Sequence, residues 1–196
     1  MTTLNLQVSA SADDASENTG VSVALTAVNI RNDATYDWSG IRFQNVTISN
    51  GATINSATHQ IYVSYTSNDD INVNIYADDT DSAAQFTTTL NDISARTRTA
   101  ATVSRNATAV GAGWYTLPDA AALVQEVVNR AGWISGNSLA LLLETISGSD
   151  LRYNAYDGST TEAAKLDIDY TTGPAERSRP ALRPAAAPRP IHQLRI

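Results

Sequence analysis

The sequence predicts an all-β fold, an antiparallel β-sandwich with one embedded α-helix and an extended C-terminal arm. Apolar residues alternate with polar ones in seven short runs, which is typical of strands with one buried face. A single segment spaces its apolar residues by three and four, as an amphipathic helix does. Five of the six prolines fall in residues 174–196, which excludes a central strand there.

The alternating runs are separated by clusters of Asn, Asp, Ser and Gly, and this arrangement favours a sandwich. The parity of the third run changes between Phe43 and Val46, so we expect an irregularity there. The second run is expected to continue to about Ile30. The runs cover residues 4–8, 21–25, 41–48, 57–65, 71–75, 139–143 and 166–170.

The predicted helix covers Pro118–Ala131. Proline suits the first helical turn because its missing N–H would be unpaired there, and Asp119 favours the positive end of the helix dipole. Gly132 is predicted to end the helix in a left-handed conformation. Trp133 is expected to pack the helix against the sandwich. The residues predicted to be buried are Val124, Val127 and Val128.

Two domains follow from this pattern, a sandwich at 1–173 and a Pro/Arg-rich arm at 174–196. The arm contains five arginines and one glutamate, so its net charge is +4. Because the whole chain has a net charge of −7, residues 1–173 have a net charge of −11. An acidic body is a poor match for phosphate backbones, and a nucleic-acid partner is not expected.

Composition excludes further classes of protein. There is no cysteine, so disulfides and thiol chemistry are absent. No apolar stretch approaches the roughly 18 residues that span a bilayer, and no membrane partner is expected. Residues 1–7 contain neither a basic start nor an apolar block, so we expect no secretory leader.

The segment Ile41–Val63, with Arg42-Phe43 followed by Gly-Ala-Thr-Ile-Asn-Ser-Ala at 51–57, resembles the DNRLRE domain. That family is a jelly-roll sandwich similar to carbohydrate-binding modules, and the resemblance extends over about residues 3–171. It implies a jelly roll of the kind found in bacterial surface proteins and predicted phage virion proteins. His59 departs from the pattern, since the family usually has an aliphatic residue there. The matching later pieces are Pro118-Asp119, Asn137–Leu143, Leu151–Asp157 and Ala164–Tyr170.

Catalysis is not expected. The two histidines are His59 and His192, and a Ser-His-Asp triad would have to use His59. His59 shares the parity of the apolar residues in its run, which predicts a packed strand histidine. The paired acids lie in expected loops, where solvated turn residues are the ordinary explanation. The chain is therefore predicted not to be an enzyme and to need no cofactor except, at most, calcium.

Calcium is considered because hard oxygen ligands from clustered aspartates suit it. The candidate ligands are Asp78, Asp79 and Asp81, although their spacing matches no defined calcium-binding loop. Glycans are considered because aromatic rings near loops can pack on sugars. Tyr36 and Trp38 are predicted to be the exposed pair, whereas Trp114 and Trp133 are expected to seal the junction between helix and sandwich.

The arm cannot pair as a strand, is basic beside an acidic body, and ends in apolar residues. We therefore expect it to dock on other virion proteins or on copies of the same chain. The leading hypothesis is a structural protein of a phage virion, as a capsid decoration, collar or tail appendage. The alternative is a carbohydrate-binding module of a secreted or cell-surface protein. The predicted arm contacts are Arg177, Arg179, Arg183, Arg189, Ile191, Leu194 and Ile196.

Overall fold

The computed structural model describes residues 1–64, 71–107, 111–148 and 150–172. The all-β prediction is confirmed, because the described residues form twelve strands and one α-helix, α1, at Ala121–Val128. Ser11–Asp13 forms a single 3₁₀ turn. The strands are β1 Thr2–Gln7, β2 Asp14–Asn18, β3 Ser22–Ala24, β4 Asn29–Asp33, β5 Trp38–Phe43, β6 Thr53–Val63, β7 Ile71–Ala77, β8 Val103–Ala107, β9 Gly113–Thr116, β10 Leu139–Gly148, β11 Asp150–Asn154 and β12 Lys165–Thr171.

The strands form two main sheets and a two-stranded ribbon. The four-stranded sheet has the order β1-β12-β6-β9, and the six-stranded sheet has the order β3-β2-β5-β10-β7-β8. The ribbon pairs β11 with β4. All of these pairings are antiparallel, as the period-two pattern predicts.

The core lies between the inner faces of the two main sheets. Alternate residues of both sheets enter one apolar cluster, as Ile61 and Leu166 do from one sheet and Ile41 and Leu141 from the other. All four side chains are fully buried. Burial of this apolar surface is the dominant favourable term in folding, and the chain has no disulfide to add to it.

Helix α1 is shorter than predicted, but the face that it buries is the predicted one. Val124, Val127 and Val128 are all buried in the core cluster. Pro118 lies before the helix, and Asp119 Oδ1 accepts hydrogen bonds from the backbone N–H of Ala121 at 2.9 Å and of Ala57 at 2.8 Å. Asp119 therefore ties the start of α1 to β6.

The predicted role of Gly132 is wrong. Its φ is not positive; the left-handed glycine in this region is Gly136, with φ +101°. Gly132 instead makes room for a carboxylate, because a Cβ there would lie 2.0 Å from Oδ2 of Asp81. Trp133 packs as predicted, and its Nε1 donates to the carbonyl of Ile48 at 2.9 Å.

The predicted irregularity after Phe43 is confirmed. Asn45 has φ +58°, and Val46 and Ile48 are buried although they lie beyond the end of β5. The expected run from Val21 to Ile30 is wrong, since only residues 22–24 of its first part pair as a strand and Val21 is 67% exposed.

A long loop at residues 78–102, named here the covering loop, packs on the outer face of the six-stranded sheet. Its Phe86 and Ile93 are buried in a second apolar cluster with Trp38 and Leu142. The carboxylate of Glu17 accepts the backbone N–H of Ile93 at 2.6 Å, which fastens the loop to β2. The six-stranded sheet is therefore covered on both faces.

No helix in the described ranges has both the length and the apolar character needed to cross a membrane.

Candidate binding face on the four-stranded sheet

The outer face of the four-stranded sheet carries mostly polar side chains, and we name it the polar face. Its residues are the outward-pointing alternate positions of the four strands, because the inward-pointing neighbours fill the core. Its members are Thr3, Asn5, Gln7, Ser56, Thr58, Gln60, Tyr62, Trp114, Thr116, Lys165, Asp167 and Asp169.

The register of the strands arranges these side chains in rows. Gln7 lies opposite Lys165, which lies opposite Gln60, which in turn lies opposite Thr116. In the next row Asn5 lies opposite Asp167. A depression of about 440 Å³ lies over these rows, with Asn5, Gln7, Gln60, Lys165 and Asp167 in its lining.

An exposed tryptophan stands at one end of the polar face. Trp114 is 38% exposed, and its ring meets Tyr62 edge-to-face with the centroids 5.4 Å apart. The ammonium group of Lys165 lies 4.0 Å from the centroid of the Trp114 ring. A cation at this distance is attracted to the ring, so the lysine and the tryptophan form one unit.

Some polar groups of this face already have partners, and others do not. Gln7 donates to the carbonyls of Thr161 and Ala163, which holds it in place. Asn5, Lys165 and Asp167 make no side-chain hydrogen bond within the described part of the chain. These three side chains are therefore free to bond a ligand in the depression.

The aromatic pair predicted from the sequence is placed differently. Trp38 is only 6% exposed, because the guanidinium of Arg98 lies 5.0 Å over its ring and Tyr76 lies beside it. Tyr36 is half-buried beside Arg31, 5.8 Å from the guanidinium carbon. The prediction that both rings are exposed is therefore wrong for Trp38, which is buried.

Trp114 was expected at the helix junction, and that expectation is wrong. It lies on β9, and in its hydrogen-bonded pairing with β6 it stands opposite Tyr62. Tyr62 alternates with the buried Ile61 and Val63, so the period-two pattern of its run already indicated an outward side chain. The sequence contained no comparable signal for Trp114, because β9 is only four residues long.

The three predicted calcium ligands have arginine partners. Asp78 accepts from Arg96 at 3.0 Å, and Asp79 and Asp81 both accept from Arg130. Burial raises the pKa of the Asp78 carboxyl, and the charge of Arg96 opposes this effect. Over the described ranges, no three His, Cys, Asp or Glu side chains are grouped to hold a metal ion. Calcium binding stays a prediction.

His59 is packed as its parity predicted. It is fully buried, and Phe43 meets its ring edge-on at 6.2 Å. Neither ring nitrogen has a hydrogen-bond partner among the described residues. Burial lowers the pKa of His59 to about 3, so the ring is neutral at physiological pH. His192 lies outside the described residues.

The acid pair Asp13 and Asp14 was expected to be solvated in a loop, and that expectation is wrong, because both side chains are buried. Asp14 lies on the inner side of β2 and is 1% exposed, and its Oδ2 accepts the backbone N–H of Tyr156 at 2.8 Å. Its Oδ1 is buried without a partner among the described residues. Burial, followed by the charges of Asp157 and Asp13, raises the pKa of Asp14 to about 7.

The arm residues predicted to contact a partner, from Arg177 to Ile196, lie outside the described residues.

The chain matches no protein-family model and no curated protein sequence. The resemblance to the DNRLRE domain therefore stays a prediction, and the functional argument depends on the polar face itself.

Proposed function

We propose that this chain is a non-catalytic binding module and that its polar face binds an extended glycan. One observation carries the proposal. The covering loop closes the outer face of the six-stranded sheet, whereas the four-stranded sheet presents an exposed tryptophan beside polar groups that have no hydrogen-bond partner among the described residues. A sheet face that served stability alone would need neither feature.

The chemistry of this face suits sugars. Sugar hydroxyls both donate and accept, and Asn5, Lys165 and Asp167 supply an amide, an ammonium and a carboxylate in adjoining positions. The C–H face of a sugar ring packs on an aromatic ring such as Trp114. A ring that stacks there displaces the Lys165 ammonium, whose flexible stem lets it donate to a ligand hydroxyl instead.

The width of the face favours a chain of several sugars over a single one. Four strands about 4.8 Å apart give a row of roughly 14 Å from Gln7 to Thr116. Open sheet faces bind weakly through each contact, so affinity has to accumulate along the row.

Trp114→Ala tests the proposal. Loss of the aromatic contact is expected to weaken binding of a soluble oligosaccharide of at least four units about tenfold, measured by calorimetry. Ile134→Ala is the control, since Ile134 is 68% exposed in the loop after α1. If no member of a broad oligosaccharide panel binds, or if binding survives both Trp114→Ala and Asp167→Asn, the polar face is not a glycan site.

A second candidate is a structural role in a phage virion, which the charge asymmetry of the sequence favours. Residues 174–196 carry +4 beside a body of −11. Opposite charges steer association, and this attraction is screened beyond about 10 Å at 0.1 M salt. Truncation after Gly173 is expected to preserve the melting temperature of the monomer and to abolish salt-sensitive incorporation into particles. Equal incorporation of truncated and full-length chains would exclude this role for the arm.

A further inference from the structure

A cavity of about 250 Å³ lies between β3, β4 and the turn that precedes β5, and its lining shares no residue with the polar face. We name it the Arg31 cavity. Part of its wall is apolar and is formed by Ala24, Ala27 and Val28. The remainder carries polar groups, of which Asn29 and Arg31 belong to β4.

Arg31 differs from most arginines of this acidic protein. Five of the seven arginines in the described ranges pair with a carboxylate, and the exceptions are Arg31 and Arg105. Arg105 is buried in the sandwich, whereas Arg31 lines a cavity. The positive charge of Arg31 is therefore available to a ligand that enters from solvent.

The register of the ribbon increases the positive charge at this position. Arg31 lies directly opposite Arg152 in the antiparallel pairing of β4 with β11. Like charges in directly opposite positions destabilise a strand pair. Arg152 is balanced by Asp150 at 2.9 Å, but no carboxylate among the described residues balances Arg31. A bound anion would supply the missing charge.

The neighbours of Arg31 indicate what kind of anion fits. Tyr36 lies with its ring 5.8 Å from the guanidinium carbon and limits how the side chain can turn. The backbone N–H of Arg31 donates to the hydroxyl of Ser16 at 2.7 Å, so β4 is held against β2 at the cavity. The Ser16 contact fixes the backbone of Arg31 at the cavity wall, and the planar guanidinium offers parallel N–H donors that match a carboxylate.

We propose that the Arg31 cavity binds a carboxylate-bearing sugar, a uronic acid. The carboxylate pairs with the Arg31 guanidinium, the ring carbons lie against the wall of Ala27 and Val28, and the Asn29 amide bonds a ring hydroxyl. The cavity volume limits the ligand to about one sugar unit. This site is separate from the polar face and does not depend on it.

Galacturonate and galactose are the matched probes, because they differ in the carboxylate alone. Calorimetry and amide-resolved NMR titration of the full chain are expected to show galacturonate binding at least tenfold more tightly than galactose. The shifts should centre on the Asn29 and Arg31 amides. Arg31→Gln is expected to reduce galacturonate affinity at least tenfold, to the level of galactose.

Two variants separate charge from shape and folding. Ala27→Leu keeps the arginine and fills the cavity, and it is expected to abolish binding of galacturonate. Arg98→Gln removes a partly exposed arginine elsewhere and is expected to leave binding unchanged. Trp114→Ala should also bind galacturonate normally, which distinguishes this site from the polar face.

Several results would overturn the proposal. They are the absence of saturable galacturonate binding, equal affinity for the two sugars, or unchanged affinity in Arg31→Gln with an unchanged melting temperature. A response to inorganic phosphate without one to galacturonate would reject a sugar acid as the ligand.

Discussion

Two buried ionisable groups are expected to change the stability of the sandwich in opposite directions as the pH falls. His59 is fully buried, and burial lowers its pKa from 6.5 to about 3. The unfolded chain takes up a proton near pH 6.5, whereas the folded chain does not until about pH 3. The stability that neutral His59 contributes is therefore present above pH 6.5 and is lost as the pH falls, by about 5 kcal/mol in all.

The contribution of Asp14 to stability changes with pH in the opposite direction. Burial first, and then the charges of Asp157 and Asp13, raise its pKa from 3.8 to about 7, against the hydrogen bond from the Tyr156 N–H. A protonated Asp14 is favoured in the fold, so its contribution is present below pH 3.8 and is lost as the pH rises to about 7. The full change is about 4 kcal/mol.

Between pH 4 and 6.5 the two contributions cancel in the wild type, at about 1.4 kcal/mol per pH unit each. Asp14→Asn keeps the shape and an acceptor for the Tyr156 N–H but removes the titration. The free energy of unfolding of this variant is expected to fall with this slope as the pH is lowered from 6.5 to 4. The free energy of unfolding of His59→Leu is expected to rise as the pH is lowered over the same interval, because only the Asp14 contribution remains.

The assay is denaturant unfolding followed by tryptophan fluorescence at pH 4, 5, 6 and 7. Ile134→Ala is the control, since Ile134 is exposed in the loop after α1 and has no titratable group, and the stability of this variant should depend on pH as that of the wild type does. The reasoning is refuted if Asp14→Asn and His59→Leu show the same pH dependence as the wild type.

Two further substitutions test the packing. Gly40→Ala is expected to destabilise the protein by about 1–3 kcal/mol, because the new Cβ would lie 2.3 Å from the Phe86 ring. A shift of the denaturant midpoint measures this, and an unchanged midpoint would contradict the close packing of the covering loop. Val127→Asp places an unpaired charge at a position 1% exposed on α1 and is expected to cost several kcal/mol. A melting temperature equal to that of Val127→Ala would be inconsistent with that burial.

Local periodicity was sufficient to predict much of the fold. Alternation at residues 57–63, 71–75 and 139–143 identified three central strands, because every second side chain of such a strand points into the core. The three-and-four spacing identified the buried valines of α1 for the same reason. Strand β2 was missed, because its sequence, Asp-Ala-Ser-Glu-Asn, shows no apolar alternation although most of it is buried.

Which outer face remains open was decided by tertiary structure alone. Trp38 points outward from β5, as its parity allows, but the covering loop adds a third layer over that sheet and buries it. Trp114 points outward from a sheet over which the described residues form no such layer, and it is 38% exposed. Arg31 and Arg152 lie opposite each other although more than a hundred residues separate them in the chain. A period of two separates the faces of each strand, but only the packing of distant segments determines what covers each face.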